Sequence, residues 1–185
     1  RASWERRTAG AAGLVAAAGC TRTIKEGIGV ARGAKGVYAP LQPVAPTTDA
    51  TPLGAYARFE LGEFTDDMGG KVPAELFRLL PGYFVQELAE KKIPNAPSGK
   101  TLLIRGKVLH YEDDNLLAFV VSPLEEVVAR VELVDKESGN VVGTANCIGR
   151  TTESVNAGVG RKAEGLAKAI ASWIDRRYPK QGRPE

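Results

Sequence analysis

The chain is short of the residues that most chemistry needs. Its 185 residues include two cysteines, one histidine and one methionine. Cys20, Cys147 and His110 form no zinc-ligand spacing. The single methionine is Met68, so the natural start of the chain is expected upstream of Arg1. Net charge is scarce too. Of the formal +3, the group Arg1, Glu5, Arg6 and Arg7 supplies +2, which leaves about +1 for residues 21–185. A nearly neutral body gives no electrostatic case for a nucleic-acid partner. Long apolar stretches are also missing where they would matter. The uncharged run from Thr8 to Gly19 falls short of the ~20 residues that a membrane-spanning helix needs.

That run is nevertheless the most informative stretch. A basic start, a short apolar segment and small residues before a cleavage point are the parts of a secretory signal. The segment ends Leu14-Val15-Ala16-Ala17-Ala18-Gly19-Cys20. It resembles the lipobox of bacterial lipoproteins, with Ala17 where Leu is usual. The resemblance implies that residues 1–19 are removed, and that Cys20 is acylated, as with palmitate, and becomes the first mature residue. Cys147 would then have no intramolecular partner, which suits an envelope protein without disulfides. In some bacteria Asp after the Cys retains a lipoprotein in the inner membrane. Thr21 stands there, so the outer membrane, facing the periplasm, is expected.

Residues 20–55 read as a lipid-anchored tether. Gly27, Gly29, Gly33 and Gly36 loosen its first half, and Pro40, Pro43, Pro46 and Pro52 break its second. Gly27-Ile28-Gly29 lacks the strand before and the helix after that a nucleotide loop requires. Val37-Tyr38-Ala39 is the one place in the tether where a short edge strand fits, ended by Pro40.

Residues 56–178 read as an α/β domain, and 179–185 as a tail. Ala57, Phe59 and Leu61 alternate with Arg58, Glu60 and Gly62, which predicts a strand. Pro73 suits the first position of a helix. Leu76, Phe77 and Leu80 follow at helical spacing until Pro81-Gly82, where a proline costs ~3 kcal/mol inside a helix. A second helix is therefore predicted from Pro81, with Phe84, Val85 and Leu88 inward and Gln86, Glu87 and Glu90 outward. Leu102, Ile104, Gly106 and Val108 face one way, Arg105, Lys107 and Leu109 the other. Val127, Ala129, Val131 and Leu133 alternate in the same manner, and Ser138-Gly139-Asn140 predicts a hairpin. The returning strand, Val141 to Thr151, places Cys147 on the face of Val141, Gly143 and Ala145. A final helix carries the stripe Ala163, Leu166, Ala167, Ile170, Trp173 and Ile174, with Arg161, Lys162, Glu164, Lys168 and Arg176 mostly away from it. The expected fold is an α/β two-layer sandwich. A four-stranded mixed sheet, β-α-α-β-β-β-α, carries its helices on one face. The strands at Phe59 and Leu102 should pair in parallel through a right-handed helical crossover.

The sheet carries a further resemblance. Leu102 to Val108 precede an acidic turn, and Val131 to Gly143 read as strand, Asp-x-x-Ser-Gly turn and return strand, followed by the helix Leu166-Ala167-Lys168-Ala169-Ile170. This looks like a family of small bacterial envelope lipoproteins classed as a domain of unknown function, over roughly Tyr56 to Tyr178. More distantly, the layout is similar to the α/β domains of lipoproteins that assist secretion channels or activate cell-wall synthases.

No catalytic set, cofactor site or metal site is expected. His110, followed by Glu112, Asp113 and Asp114, lacks a nameable substrate and orienting partner. Those acids and Asp66-Asp67 lack the interleaved Gly and distant Glu of a calcium loop. Cys147 should be an inert core thiol, with Arg150 on the opposite face, and Trp173 and Tyr178 should be core. The expected function is a non-catalytic binding or assembly module of the cell envelope, held to the membrane by lipid on Cys20 and engaging an envelope protein. Two alternatives remain: an enzyme with a loop site near His110 and Asp66, and a soluble periplasmic ligand-binding protein. The second needs an apolar cavity, whereas Gly106, Gly143 and Ala145 favour close sheet–helix packing.

Overall fold

A computed structural model describes residues 34–112, 126–151 and 158–180 of the chain. Its strands are β1 (Ala34–Gln42), β2 (Arg58–Asp66), β3 (Thr101–Tyr111), β4 (Glu126–Asp135) and β5 (Val141–Thr151). Its helices are α1 (Ala74–Glu90) and α2 (Gly158–Asp175), with a single 3-10 turn at Pro52–Ala55. The strands form one sheet in the order β1-β5-β4-β3-β2. β2 and β3 are parallel across the α1 crossover, and every other neighbouring pair is antiparallel. The mixed α/β sheet and its parallel pair are as the strand patterns predict.

The sheet has five strands rather than four. The additional one, β1, lies inside the stretch read as a tether, so the sheet already includes residues ahead of Tyr56. The short edge strand expected at Val37-Tyr38-Ala39 extends over nine residues and through Pro40. Proline is tolerated there because an edge strand has one side with no ladder to donate to. Gly36, one of the glycines that suggested flexibility, serves packing instead. Gly36 and Gly149 are cross-strand partners, and α2 lies with its main chain directly on them. A Cβ at Gly36 would meet Ala169 N and come within 2.5 Å of Gly165 O. One at Gly149 would meet Leu166 N and come within 2.7 Å of Lys162 O, and one at Gly165 would come within 2.8 Å of Lys35 O. Gly143 takes the same part lower down, where a Cβ would lie 3.0 Å from Val44 and 3.3 Å from Trp173.

The two predicted helices are one. α1 runs unbroken through Pro81. Its buried row, Leu76, Leu80, Phe84 and Leu88, repeats every four residues across the proline, and burying such side chains stabilises by ~1.5–3 kcal/mol each. Together these outweigh the ~3 kcal/mol of an interior proline. Pro81 itself is exposed. Pro73 sits one place outside the helix, as its N-cap. Two side chains of α1 differ from expectation. Val85 is 56% exposed, and Glu87, assigned to the wet side, is 5% exposed.

In α2 the predicted stripe is the core: Ala163, Leu166, Ala167, Ile170, Trp173 and Ile174 are all buried. Lys162, expected to lie away from it, is buried as well. Across the sheet, Leu102, Ile104 and Val108 of β3, Val127 to Leu133 by alternation in β4, and Ala145 and Cys147 of β5 complete that core. Gly106 has the Phe64 ring where its own side chain would go, at 2.6 Å. The 3-10 turn closes one end. Leu53 N donates to Arg177 O, and Tyr178 packs edge-on against Phe59 at 5.6 Å.

Two substitutions test this packing in thermal melts. Cys147→Ser places a hydroxyl in a buried apolar site and should cost ~1–3 kcal/mol. Gly149→Ala should cost at least the ~1–3 kcal/mol of overpacking, because the obstructing atoms belong to the α2 main chain and cannot rotate away. A Gly149→Ala protein that melts like the parent would mean that α2 does not rest on β5.

Candidate functional site

Cys20 and the acids Asp113 and Asp114 lie outside the described residues. So do segment 14–19, Arg1, Arg6, Arg7, Thr21, Gly27, Gly29 and Gly33, whereas Asp66, His110, Glu112, Cys147, Arg150, Trp173 and Tyr178 are placed. His110 is near the end of β3, 48% exposed, with Nε2 3.8 Å from Glu112 Oε1. Asp66 ends β2 and is in register with Val108, so both reach the same end of the sheet. Asp66 is occupied there by main chain. Its carboxylate accepts N–H bonds from Met68 (2.6 Å), Gly70 (2.7 Å) and Val72 (3.1 Å). Desolvation alone would raise its carboxyl pKa, but the donors from Met68, Val72, Gly70 and Lys71 outweigh it and hold the group below the usual carboxylate range. Asp66 therefore organises the turn into α1 and stays ionised, rather than serving His110 as a base or an orienter. Among the described residues no group of three or more His, Cys, Asp or Glu side chains is placed to hold a metal ion.

Cys147 is buried in the core, and burial pushes its thiol far above the ordinary value. Arg150 lies on the opposite face, as alternation requires, with Nε 3.0 Å from Glu126 Oε2. Trp173 stacks with Tyr38 at 6.5 Å within the core.

Three polar clusters were not legible in the sequence. In the first, Asp135 at the end of β4 accepts from Lys100 Nζ (2.9 Å) and Tyr56 Oη (3.0 Å), and from the N–H groups of Glu137 and Ser138. Lys100 also lies over the Tyr56 ring at 4.9 Å. These partners, Lys100 first, hold the Asp135 carboxyl far below its usual range, and burial beside the carboxylate pushes the Tyr56 phenol up. The cluster joins the 3-10 turn, the start of β3 and the β4–β5 hairpin. In the second, Lys162 of α2 donates to Glu112 O at 2.6 Å and lies 4.5 Å from the Tyr111 ring. In the third, Glu87 of α1 faces Lys168 of α2 at 3.8 Å, and Lys168 bonds Glu164 at 2.7 Å. Burial pushes the Glu87 carboxyl up despite that lysine. The faint signal for all three was charge at positions that the apolar period claims for the core.

The sheet face away from the helices carries the charges of alternate strand residues. Arg105 bonds Glu132 at 2.8 Å, Lys136 bonds Glu60 at 2.8 Å, and Arg58 lies 3.7 Å from Glu60. An open groove on this face is lined by Glu63, Thr65, Arg105, Gly106, Lys107, Arg130 and Glu132. A second, much smaller groove lies between Lys91, Lys92, Ile93, Asp175, Tyr178, Pro179 and Lys180. Neither groove includes His110 or Asp66.

No protein-family model and no curated protein matches the chain. Solved structures with a similar layout include a PelC dodecamer from Paraburkholderia phytofirmans, at 15% identity and a TM-score of 0.49, covering 76% of this chain and 98% of that one. Another is a minor lipoprotein from Acinetobacter baumannii, at 16% identity and a TM-score of 0.38, covering 65% and 91%. Among the described residues no helix is long and apolar enough to cross a membrane.

The Asp135 cluster gives a pH test. Its folded pKa is depressed, so its stabilisation is full above the unfolded value of ~3.9 and is lost as pH falls below it. Asp135→Asn should melt well below the parent at pH 7. The gap should close as the pH is lowered through ~4 and beyond. A gap that stays constant down to acid pH would show that the carboxylate charge is not what holds the cluster.

Proposed function

We propose that this chain is a lipid-anchored bacterial envelope protein, acylated on Cys20, whose α/β domain acts as a non-catalytic binding or assembly module. The observation that carries the reading is the Leu14–Cys20 segment with Arg1, Arg6 and Arg7 upstream of it. Two or more acyl chains hold a protein firmly at a bilayer, whereas one holds it only marginally. The Cys of this class carries several. Thr21, in place of a retention Asp, favours the outer membrane and its periplasmic side.

The start of the sheet limits the reach of such an anchor. Residues 21–33 separate Cys20 from β1. At ~3.3–3.6 Å per extended residue, Cys20 and Ala34 are at most about 50 Å apart. A domain held that close to one leaflet is suited to a partner in, or next to, the same membrane. The non-catalytic reading draws support from how the candidate acid–base groups are used. Asp66 is tied to three backbone N–H groups. His110 stands half-exposed on the sheet with Glu112 as its near neighbour.

Fractionation and lipid labelling of Cys20→Ser test the proposal. The parent should sediment with membranes and incorporate labelled palmitate. The variant should do neither, yet melt at the parent's temperature, because the substituted residue precedes β1 by more than a dozen positions. A variant that remains membrane-bound would refute acylation of Cys20 as the anchor.

A further inference from the structure

The strand register places two cations where a sheet ordinarily places a complementary pair. Lys107 of β3 and Arg130 of β4 are directly opposite one another. Both are exposed on the open face. Residues so placed have Cβ atoms ~4.5–5.5 Å apart, and like charges there are destabilising. Elsewhere on the face a like-charge pair recurs where Lys35 is opposite Arg150, but there Arg150 has a carboxylate partner in Glu126. In β3 and β4, Arg105 is opposite Glu132 and bonded to it. Glu126 is opposite Arg150 and bonded to it. Lys136 and Arg58 share Glu60. Among the described residues, neither Lys107 nor Arg130 has a carboxylate within ion-pair distance. Arg130 has one long contact, Nε to Asn146 Oδ1 at 3.5 Å.

Both cations line the open groove described above, which has a volume of about 150 Å³. That is roughly ten times the ~10–15 Å³ that one water needs. Thr65 is the neighbour of Lys107 on its other side and adds a hydroxyl donor to the same row. The two carboxylates of the groove are Glu132, which Arg105 already holds, and Glu63.

We propose that Lys107, Arg130 and Thr65 bind a phosphate-type oxyanion on the open face of the sheet. A guanidinium offers two parallel N–H donors, the geometry that phosphate oxygens accept. The ammonium adds a mobile point charge from the adjacent strand. The bound anion removes the repulsion that the empty site retains. The phosphate is either free or the headgroup of a membrane lipid, and the inference does not depend on the anchor.

The test uses the full chain carrying Cys20→Ser, so that no acyl chain contributes to binding. Inorganic pyrophosphate, compared with chloride at matched ionic strength, should raise the melting temperature saturably. Phosphatidylglycerol vesicles, compared with phosphatidylcholine vesicles, provide the second arm. The double variant Lys107→Gln/Arg130→Gln should weaken the response by about tenfold or more, since hydrogen bonds to charged groups are worth that much. Lys136→Gln, which removes a cation already paired on the same face, should retain it. Lys107→Glu should melt above the parent without ligand, because it faces Arg130 with the opposite charge, and should not respond to pyrophosphate. A response to pyrophosphate alone assigns the site to free phosphate, one to the vesicles alone assigns it to lipid headgroups, and one to both makes the phosphate group itself the recognised feature. No response in either arm, or a response that survives the double variant, overturns the proposal.

Discussion

The domain depends on one close contact, the main chain of α2 laid against the main chains of β1 and β5. Side chains would hold a helix and a sheet apart. Gly36, Gly149 and Gly165 remove them at the point of crossing, and Ala169 is the small neighbour on the helix. With that contact made, the rest of α2 is fixed in height and rotation. Trp173 is set against Tyr38 and Gly143, and Leu166 and Ile170 fall into the core. α1 then packs chiefly on α2 and less on the sheet. That arrangement explains why Glu87, on the inner side of α1, meets Lys168 of α2 and not a strand.

Much of this was legible in the sequence because period carries it. Alternation in β3, in β4 and in β5 from Gly143 onward assigned the inward residues, and the 3.6-residue stripe assigned the core of α2. Val141, expected inward, instead pairs with Val134 past a register shift, and Val142 packs against the core. The parallel β2–β3 pair followed from the helical stretch between those strands. The failures share a cause. Gly and Pro report a constraint on the main chain without saying which one it is. Gly36 signals freedom in a loop and close approach in a strand. Pro81 ends a helix unless a buried row on the opposite side holds it together. Charged residues mislead likewise. Glu87 and Lys162 read as solvated, and only the facing helix and the Tyr111 ring supply the partners that let them be buried.

Sequence also hid what happens between strands. Arg105, Lys107, Arg130 and Glu132 are recognisable as outward residues from alternation alone. Which of them face each other requires the β3–β4 register, while the hairpin of five residues between Asp135 and Val141 sets the β4–β5 register. Asp135 sets that hairpin, by accepting the N–H groups of Glu137 and Ser138 while Lys100 and Tyr56 tie it to the start of β3 and to the 3-10 turn. A shift of one residue there would exchange the two faces of β5. It would turn Cys147 outward and part Glu126 from Arg150. The polar cluster at one end of the sheet therefore governs the charge pattern that β4 and β5 share on its open face.

β1 also has a mechanical consequence. Tension applied at Ala34 acts on the first described residue of an edge strand whose described neighbour in the sheet is β5. A pull along the strand loads all of its ladder bonds together, in shear. A pull across it would peel them one at a time, beginning at Ala34 and Thr151. The glycine crossing lies just inside that vulnerable end, where α2 bears on Gly36 and Gly149. The helix thus acts as a clamp on the strand that takes the load, and peeling β1 past Gly36 requires lifting α2 from the sheet.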